Sequence, residues 1–208
     1  MPNWCNNHLT LSHEDPAMIK RAYDALERGE FLNEFIPVPE DLQIVAGCVG
    51  DPDEQKALER KTAENVKKYG YGNWYDYCVG EWGTKWDTGE TGNNDIHPDG
   101  KMLTAGFDTA WAPPVNAYEK LTALGFNVEA MYYESGMAYC GIWSSECGDS
   151  EYSLEGMSGD EVEAELPAEL DMMFGISECI REYEAENEEE LTAWIKDGAE
   201  KKAQLIAE

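Results

Sequence analysis

The chain has 208 residues, enough for one large domain or a domain with an appendage, and 42% of them are hydrophobic, which excludes global disorder. Its 43 acids against 15 bases give a formal charge of -28. Such a surface repels nucleic acid, anionic membranes and phosphate-rich substrates, and it attracts basic partners.

"NWCNNHLTLSH", Asn3 to His13, alternates late, with Leu9 and Leu11 opposing His8, Thr10 and Ser12, and reads as a strand. Asp15-Pro16 then opens a helix, Met18, Ile19, Tyr23 and Leu26 give it an apolar stripe, and Gly29 ends it. "FLNEFIPVPEDL" carries Pro37 and Pro39 and is expected to be an extended passage. Residues 51–69 look helical from the Asp51-Pro52 start, but their strong apolars are only Leu58, Val66 and Tyr69. A helix this polar is expected as a surface insertion, within a helical and loop region at about 40–75.

"WGTKWDT", Trp82 to Thr88, reads as a strand, and "TGETGNNDIHPDG" as a long exposed loop. "KMLTAGFDTAWAPP" is a strand stopped by Pro113 and Pro114, and Val115 to Gly125 is a short helix. "FNVEAMYYES" and "GMAYCGIWSSE" pair across a Ser135-Gly136 turn, with "EYSLEGM" as a further strand. This order fits an α+β ferredoxin-like sandwich, a split βαβ arrangement with an antiparallel sheet and helices on one face. Residues 1–158 form that body, and 159–208 are expected to be acidic helices packed on it. Pro167 starts one of them, with Leu170, Met173, Phe174, Ile176 and Ile180 apolar. Asn187, with Glu190 three residues on, starts the other.

Several of these segments together are informative. "MPNWCNNHLTL", "FIPVPEDL", "WGTKWD", "FDTAWAPP" and "YYESGMAYCG", in that order, resemble the YubB-type family of phage- and plasmid-borne, Api-like proteins over about residues 1–145. The resemblance implies a ferredoxin-like domain and a mobile-element origin. It brings no catalytic residues, and it does not extend to the acidic region from Glu146 onward.

The residues that bear chemistry are few. No CxxC, HExxH or GxSxG occurs, and Cys5, Cys48, Cys78, Cys140, Cys147 and Cys179 read as reduced thiols. Without an apolar run near the ~18 residues of a membrane span, and with no signal-peptide pattern at its start, the protein is expected to be cytoplasmic. "DTGETGNNDIHPDG" lacks the DxDxDG order of a calcium loop, so no metal or other cofactor is expected. On a strand, Trp82, Thr84 and Trp86 share a face, as do Phe107, Thr109 and Trp111 on theirs. Pairing would stack the aromatics as core and bring Lys85 to Asp87 or Asp108 on the opposite face. The alternative is a groove of Trp82, Lys85, Trp86, Asp108 and Trp111 that binds single-stranded nucleic acid or a small ligand such as a sugar. Metal-dependent hydrolysis around Asp87 and Asp108 is the enzymatic alternative.

The charge is the stronger clue. From Glu146 to Glu190 there are 17 acids and one base, Arg181, interspersed with Leu154, Val162, Leu166, Leu170, Met172 and Met173. Acids on an ordered scaffold can imitate a row of phosphates, where a plain acidic run serves solubility. Glu161 and Glu165, Glu178 and Glu182, and Glu182 and Glu186 are each four apart and share helix faces, with Asp171 beside them. The expectation is a non-enzymatic, nucleic-acid-mimicking inhibitor of a basic host protein that handles nucleic acid or serves in defence.

Overall fold

The computed structural model describes residues 3–89 and 91–207, with the side chains of the last helix described as far as Glu190 and again at Trp194. The first strand, β1 (Trp4–Ser12), buries Cys5, Asn7, Leu9 and Leu11 and turns the residues between them outward. That period of two places β1 at the centre of a sheet with one covered face. The other strands are β2 (Thr91–Ile96), β3 (Met102–Ala110), β4 (Asn127–Glu134), β5 (Tyr139–Ser144) and β6 (Gly148–Ser153), in the order β2-β3-β1-β4-β5-β6. Every neighbouring pair is antiparallel.

Helix α1 (Pro16–Glu27) connects β1 to the β2 side of the sheet, and α5 (Val115–Ala123) connects β3 to β4. Each connection leaves room for one strand between the two it joins. These are two interleaved split βαβ units, extended at one edge by β5 and β6. The fold is the expected α+β sandwich. Its core joins Leu9, Leu11, Leu103, Ala105, Val128 and Ala130 of the sheet to Ile19 and Leu26 of α1 and to Tyr118 and Leu121 of α5. Asp15 caps α1 by accepting the Ala17 N–H at 2.9 Å, with Pro16 in the first turn.

Three helices lie between α1 and β2: α2 (Phe31–Phe35), α3 (Pro52–Tyr69) and α4 (Trp74–Trp82). α2 corrects the expectation of an extended passage from Phe31. Only residues after Phe35 are extended, and they lead to a 3-10 turn at Glu40–Leu42. α3 is the polar insertion that its composition implies, with Asn65 its buried residue. Polar bonds hold it in place of a core. Asp41 accepts from Lys61 Nζ at 2.9 Å, Lys68 Nζ at 2.8 Å and the Tyr69 hydroxyl at 2.9 Å, while Asn65 Nδ2 donates to the Asp41 carbonyl.

Two expectations around residue 85 are overturned. Trp82 ends a helix rather than starting a strand, because it is spaced four residues from Cys78 and both are buried on one face of α4. Gly83, left-handed at φ 91°, caps that helix. Residues 91–96 are an edge strand and not a loop, despite the sequence Thr-Gly-Asn-Asn-Asp-Ile. Pairing with β3 overrides poor intrinsic propensity, and the register breaks between Gly92 and Asp95, where Asn93 sits at φ 56°.

The chain divides into two compact units, Met1–Ser153 and Leu154–Glu208. The second contains α6 (Gly159–Glu165), α7 (Ala168–Phe174) and α8 (Ile176–Ala207). Ser158 and Glu161 form a reciprocal capping box at the start of α6. A Cβ on Gly159 would come within 2.4 Å of Arg181 Cγ and 2.7 Å of the Ser177 carbonyl, so glycine lets α6 lie close on α8. Gly175, left-handed at φ 62°, separates α7 from α8. Leu170 and Ile176 are fully buried, whereas Met172 and Met173 are exposed. The expected helix start at Asn187 does not occur. With no glycine or proline to end α8 beforehand, the helix runs through Asn187 without a break. Among the described residues no helix is long and apolar enough to cross a membrane.

Candidate functional site

One end of the sheet gathers most of the unusual chemistry of the first unit. β1 begins there opposite the end of β3, with Trp4 paired to Ala110. β4 ends there too, with Glu134 paired to Cys5 on one side and Tyr139 on the other. The segment after α4 is tied to the same end by the Thr84 hydroxyl, which donates to the Ala110 carbonyl at 3.0 Å.

The aromatic residues there separate into two groups. Trp82 is 4% exposed and its indole N–H donates to the Ile36 carbonyl at 2.9 Å, so it belongs to the core. Trp86 and Trp111 were expected beside it but are 38% and 43% exposed, and Trp4 is 47% exposed. The reason for Trp111 is its backbone. At φ 71° it leaves the strand alternation that buries Phe107 and Thr109, a conformation that costs a bulky residue on the order of 1–2 kcal/mol. The Trp111 N–H donates to the Asn3 carbonyl at 2.9 Å, and the Trp111 carbonyl accepts from the Tyr139 hydroxyl at 2.8 Å.

Lys85 also departs from expectation. It pairs with neither Asp87 nor Asp108. Its ammonium lies 4.4 Å from the Trp86 ring centroid, 4.9 Å from that of Trp111 and 5.8 Å from that of Tyr75, a cation held by π faces. Trp4 packs against Trp86 at 6.0 Å. Asp87 instead accepts the backbone N–H groups of Leu32, Asn33 and Thr88, each at 2.8 Å, and so caps α2. Burial raises its pKa, and those three bonds oppose the rise. Asp108 accepts from Asn6 Nδ2 at 2.7 Å. The expected groove forms in part: Trp82, Lys85 and Trp86 line one cavity of about 270 Å³, Lys85 also meets Trp111, and Asp108 lies elsewhere, with Asn6 as its partner. Among the described residues no group of three or more His, Cys, Asp or Glu gathers as metal ligands.

At the same strand end is a cavity of about 540 Å³, lined by Asn3, Trp111, Met137, Tyr139, Glu151 and Ser153. Behind that wall, Glu134 is completely buried. Its Oε2 accepts the Met137 N–H, and its Oε1 has no hydrogen-bond partner among the described residues. Sequence reading did not single out Glu134, Tyr139 or Met137. The signal was available in the alternation of β4, which places an acid on the inward register of Val128, Ala130 and Tyr132. Burial, reinforced by the Glu134 charge, pushes the neighbouring Cys5 thiol up to about 12, so Cys5 is no nucleophile at neutral pH.

The second unit carries the acids. Two of the six expected face residues are structural: Glu161 closes the capping box, and Asp171 accepts from the Ser177 N–H and hydroxyl, both at 2.7 Å. Glu165, Glu178, Glu182 and Glu186 are exposed. Arg181 is taken up by Asp160, at 2.9 Å, and Glu163. Every residue from Glu182 to Glu190 is exposed, and six of these nine are glutamates with no base among them.

Comparison with known proteins adds a distant likeness. No family model matches the chain, and no curated protein matches it. It is similar to the crystal structure of a protein api92 from Yersinia pseudotuberculosis, family-model DUF1281, at 12% identity and a TM-score of 0.39, over 74% of this chain and 99% of that one.

Proposed function

We propose that this protein binds and blocks a basic protein that handles nucleic acid, presenting α8 in place of a nucleic-acid backbone. The observation that carries the reading is the exposed stretch Glu182–Glu190. A helix rises ~1.5 Å per residue, so six carboxylates over nine residues lie ~2 Å apart along the axis. Duplex DNA carries one charge per ~1.7 Å when both strands are counted. The linear charge densities nearly match. Arg181, the one base between Glu146 and Glu190, is already paired. A channel that attracts phosphates would be drawn to this helix for the same electrostatic reason. In a phage or plasmid setting the blocked protein would belong to the host.

The test is displacement. Proteins captured from host lysate at low salt are assayed for release of a labelled duplex by the purified chain. The expected result is release that weakens steeply as salt rises and that is lost in Glu178→Gln/Glu182→Gln/Glu186→Gln. Should no captured protein release duplex, or should the triple variant release it as well as the parent, the acids serve solubility alone. A second reading, an accessory single-strand or small-ligand binder, is favoured by the solvent-facing indoles of Trp4, Trp86 and Trp111. Lys85 is their lone cation among the described residues, however, and the surrounding charge opposes a polyanion.

A further inference from the structure

We infer that the cavity beside Trp111 is a receptor for an arginine side chain presented by a basic protein partner. The inference rests on the preceding reading for the kind of partner, but the site lies in the first unit and uses none of the acids of α8.

Four observations point to a guanidinium. The cavity wall offers two aromatic surfaces, Trp111 and Tyr139, and one carboxylate, Glu151, on the exposed edge strand β6. Planar guanidinium stacks on aromatic faces and pairs with carboxylates, and it is less tightly hydrated than an ammonium. Trp111 already shows its affinity for cations, since the Lys85 ammonium rests 4.9 Å from its ring centroid. Glu134 adds an unpartnered polar oxygen next to the lining. It is fully buried, one of its oxygens has no described partner, and it is tied to the lining through the Met137 N–H and through its cross-strand neighbour Tyr139. A buried carboxyl oxygen without a hydrogen bond is destabilising until a donor approaches it. Asn3, Met137 and Ser153 complete the lining, and the flexible thioether of Met137 suits the aliphatic stem of an arginine.

The left-handed Trp111 fits this assignment. Its backbone is fixed from both sides, by Asn3 and by Tyr139, and those two residues also line the cavity. The conformation that exposes the indole is thus held by the walls of the pocket it serves.

The experiment uses the full chain and N-acetyl-arginine methylamide, with the neutral isostere N-acetyl-citrulline methylamide as control. Binding is followed by the NMR shifts of the tryptophan indole N–H groups and of the Met137 and Tyr139 amides. Saturable shifts of Trp111, Met137 and Tyr139 with the arginine probe, and none with citrulline, are expected. Glu151→Gln should weaken binding about threefold, as for a partly exposed ion pair, and Trp111→Gly should abolish it while the remaining amide spectrum stays folded. The assignment is overturned by equal shifts from both probes, by no saturable shift, or by unchanged affinity in both variants. The α8 triple variant keeps every lining residue. Loss of duplex displacement in it with arginine binding intact bears on the function alone, whereas loss of probe binding in the parent bears on the pocket alone.

Discussion

At the scale of single residues, tryptophans separated by a few positions have opposite fates. Trp82 is buried with its indole N–H bonded to Ile36, so Trp82→Ala should cost about 3–5 kcal/mol. Trp86 is partly exposed and packs on Trp4 and Lys85, so Trp86→Ala should cost less, about 1–3 kcal/mol. Urea unfolding of the two variants checks the contrast, and equal losses would contradict it. Trp111 offers a sharper test, because glycine tolerates φ 71° and alanine does not. Trp111→Gly should be more stable than Trp111→Ala by about 1 kcal/mol, the reverse of the usual order. Little of this was legible in the sequence. Trp82 and Trp86 fit a period of two if only their own segment is considered, and Trp82 joins a helical period only once Cys78 is read with it. No residue-level signal marks Trp111 as left-handed, since glycine or asparagine normally announces that conformation.

At the scale of elements, local punctuation decided what could be read. Asp15-Pro16, Asp51-Pro52 and Gly29 all mark real helix ends, because each supplies a bond or a φ angle that the terminus itself needs. β2 was illegible because its pairing with β3 is tertiary, and Asn187 misled because a capping residue can also be carried through a helix. α3 shows what holds an element without a core. The cations Lys68 and Lys61 and the Tyr69 hydroxyl hold the Asp41 carboxyl well below the usual carboxylate range. The folded-state pKa is depressed, so the contribution is complete above the unfolded value of about 4 and is lost as pH falls below it. Amide exchange in α3 should therefore accelerate below about pH 4 before exchange in β1 does, and simultaneous acceleration would show that Asp41 anchors nothing. In α8, Glu178→Gln/Glu182→Gln/Glu186→Gln removes three like-charged i,i+4 pairs, Glu178 with Glu182, Glu182 with Glu186 and Glu186 with Glu190, each costing a few tenths of a kcal/mol. Its thermal midpoint should rise slightly, and a fall would mean that these acids have stabilising partners.

At the scale of the whole molecule, the order β1, α1, β3, α5, β4, β5 was readable because hydrophobic periodicity and turn residues agree along those strands, where the covered face forces the alternation. The charge distribution was readable as well, but which acids are spent on caps was not, since Asp171 and Glu161 differ from Glu182 only in their neighbours. A net charge of -28 repels itself, so the melting temperature should climb as sodium chloride is raised from about 0.01 to 0.5 M, over which the screening length falls from ~30 Å to a few Å. The outward placement of the tryptophans has an optical consequence. Trp4, Trp86, Trp111 and Trp194 meet solvent while Trp82 and Trp143 do not, so native emission will come largely from hydrated indoles, and unfolding will move its wavelength little. Collisional quenchers will then sense the sign of the surface: caesium ions, concentrated by the acidic field, should dim the native protein more than iodide does, and a swelling salt background should erase the difference.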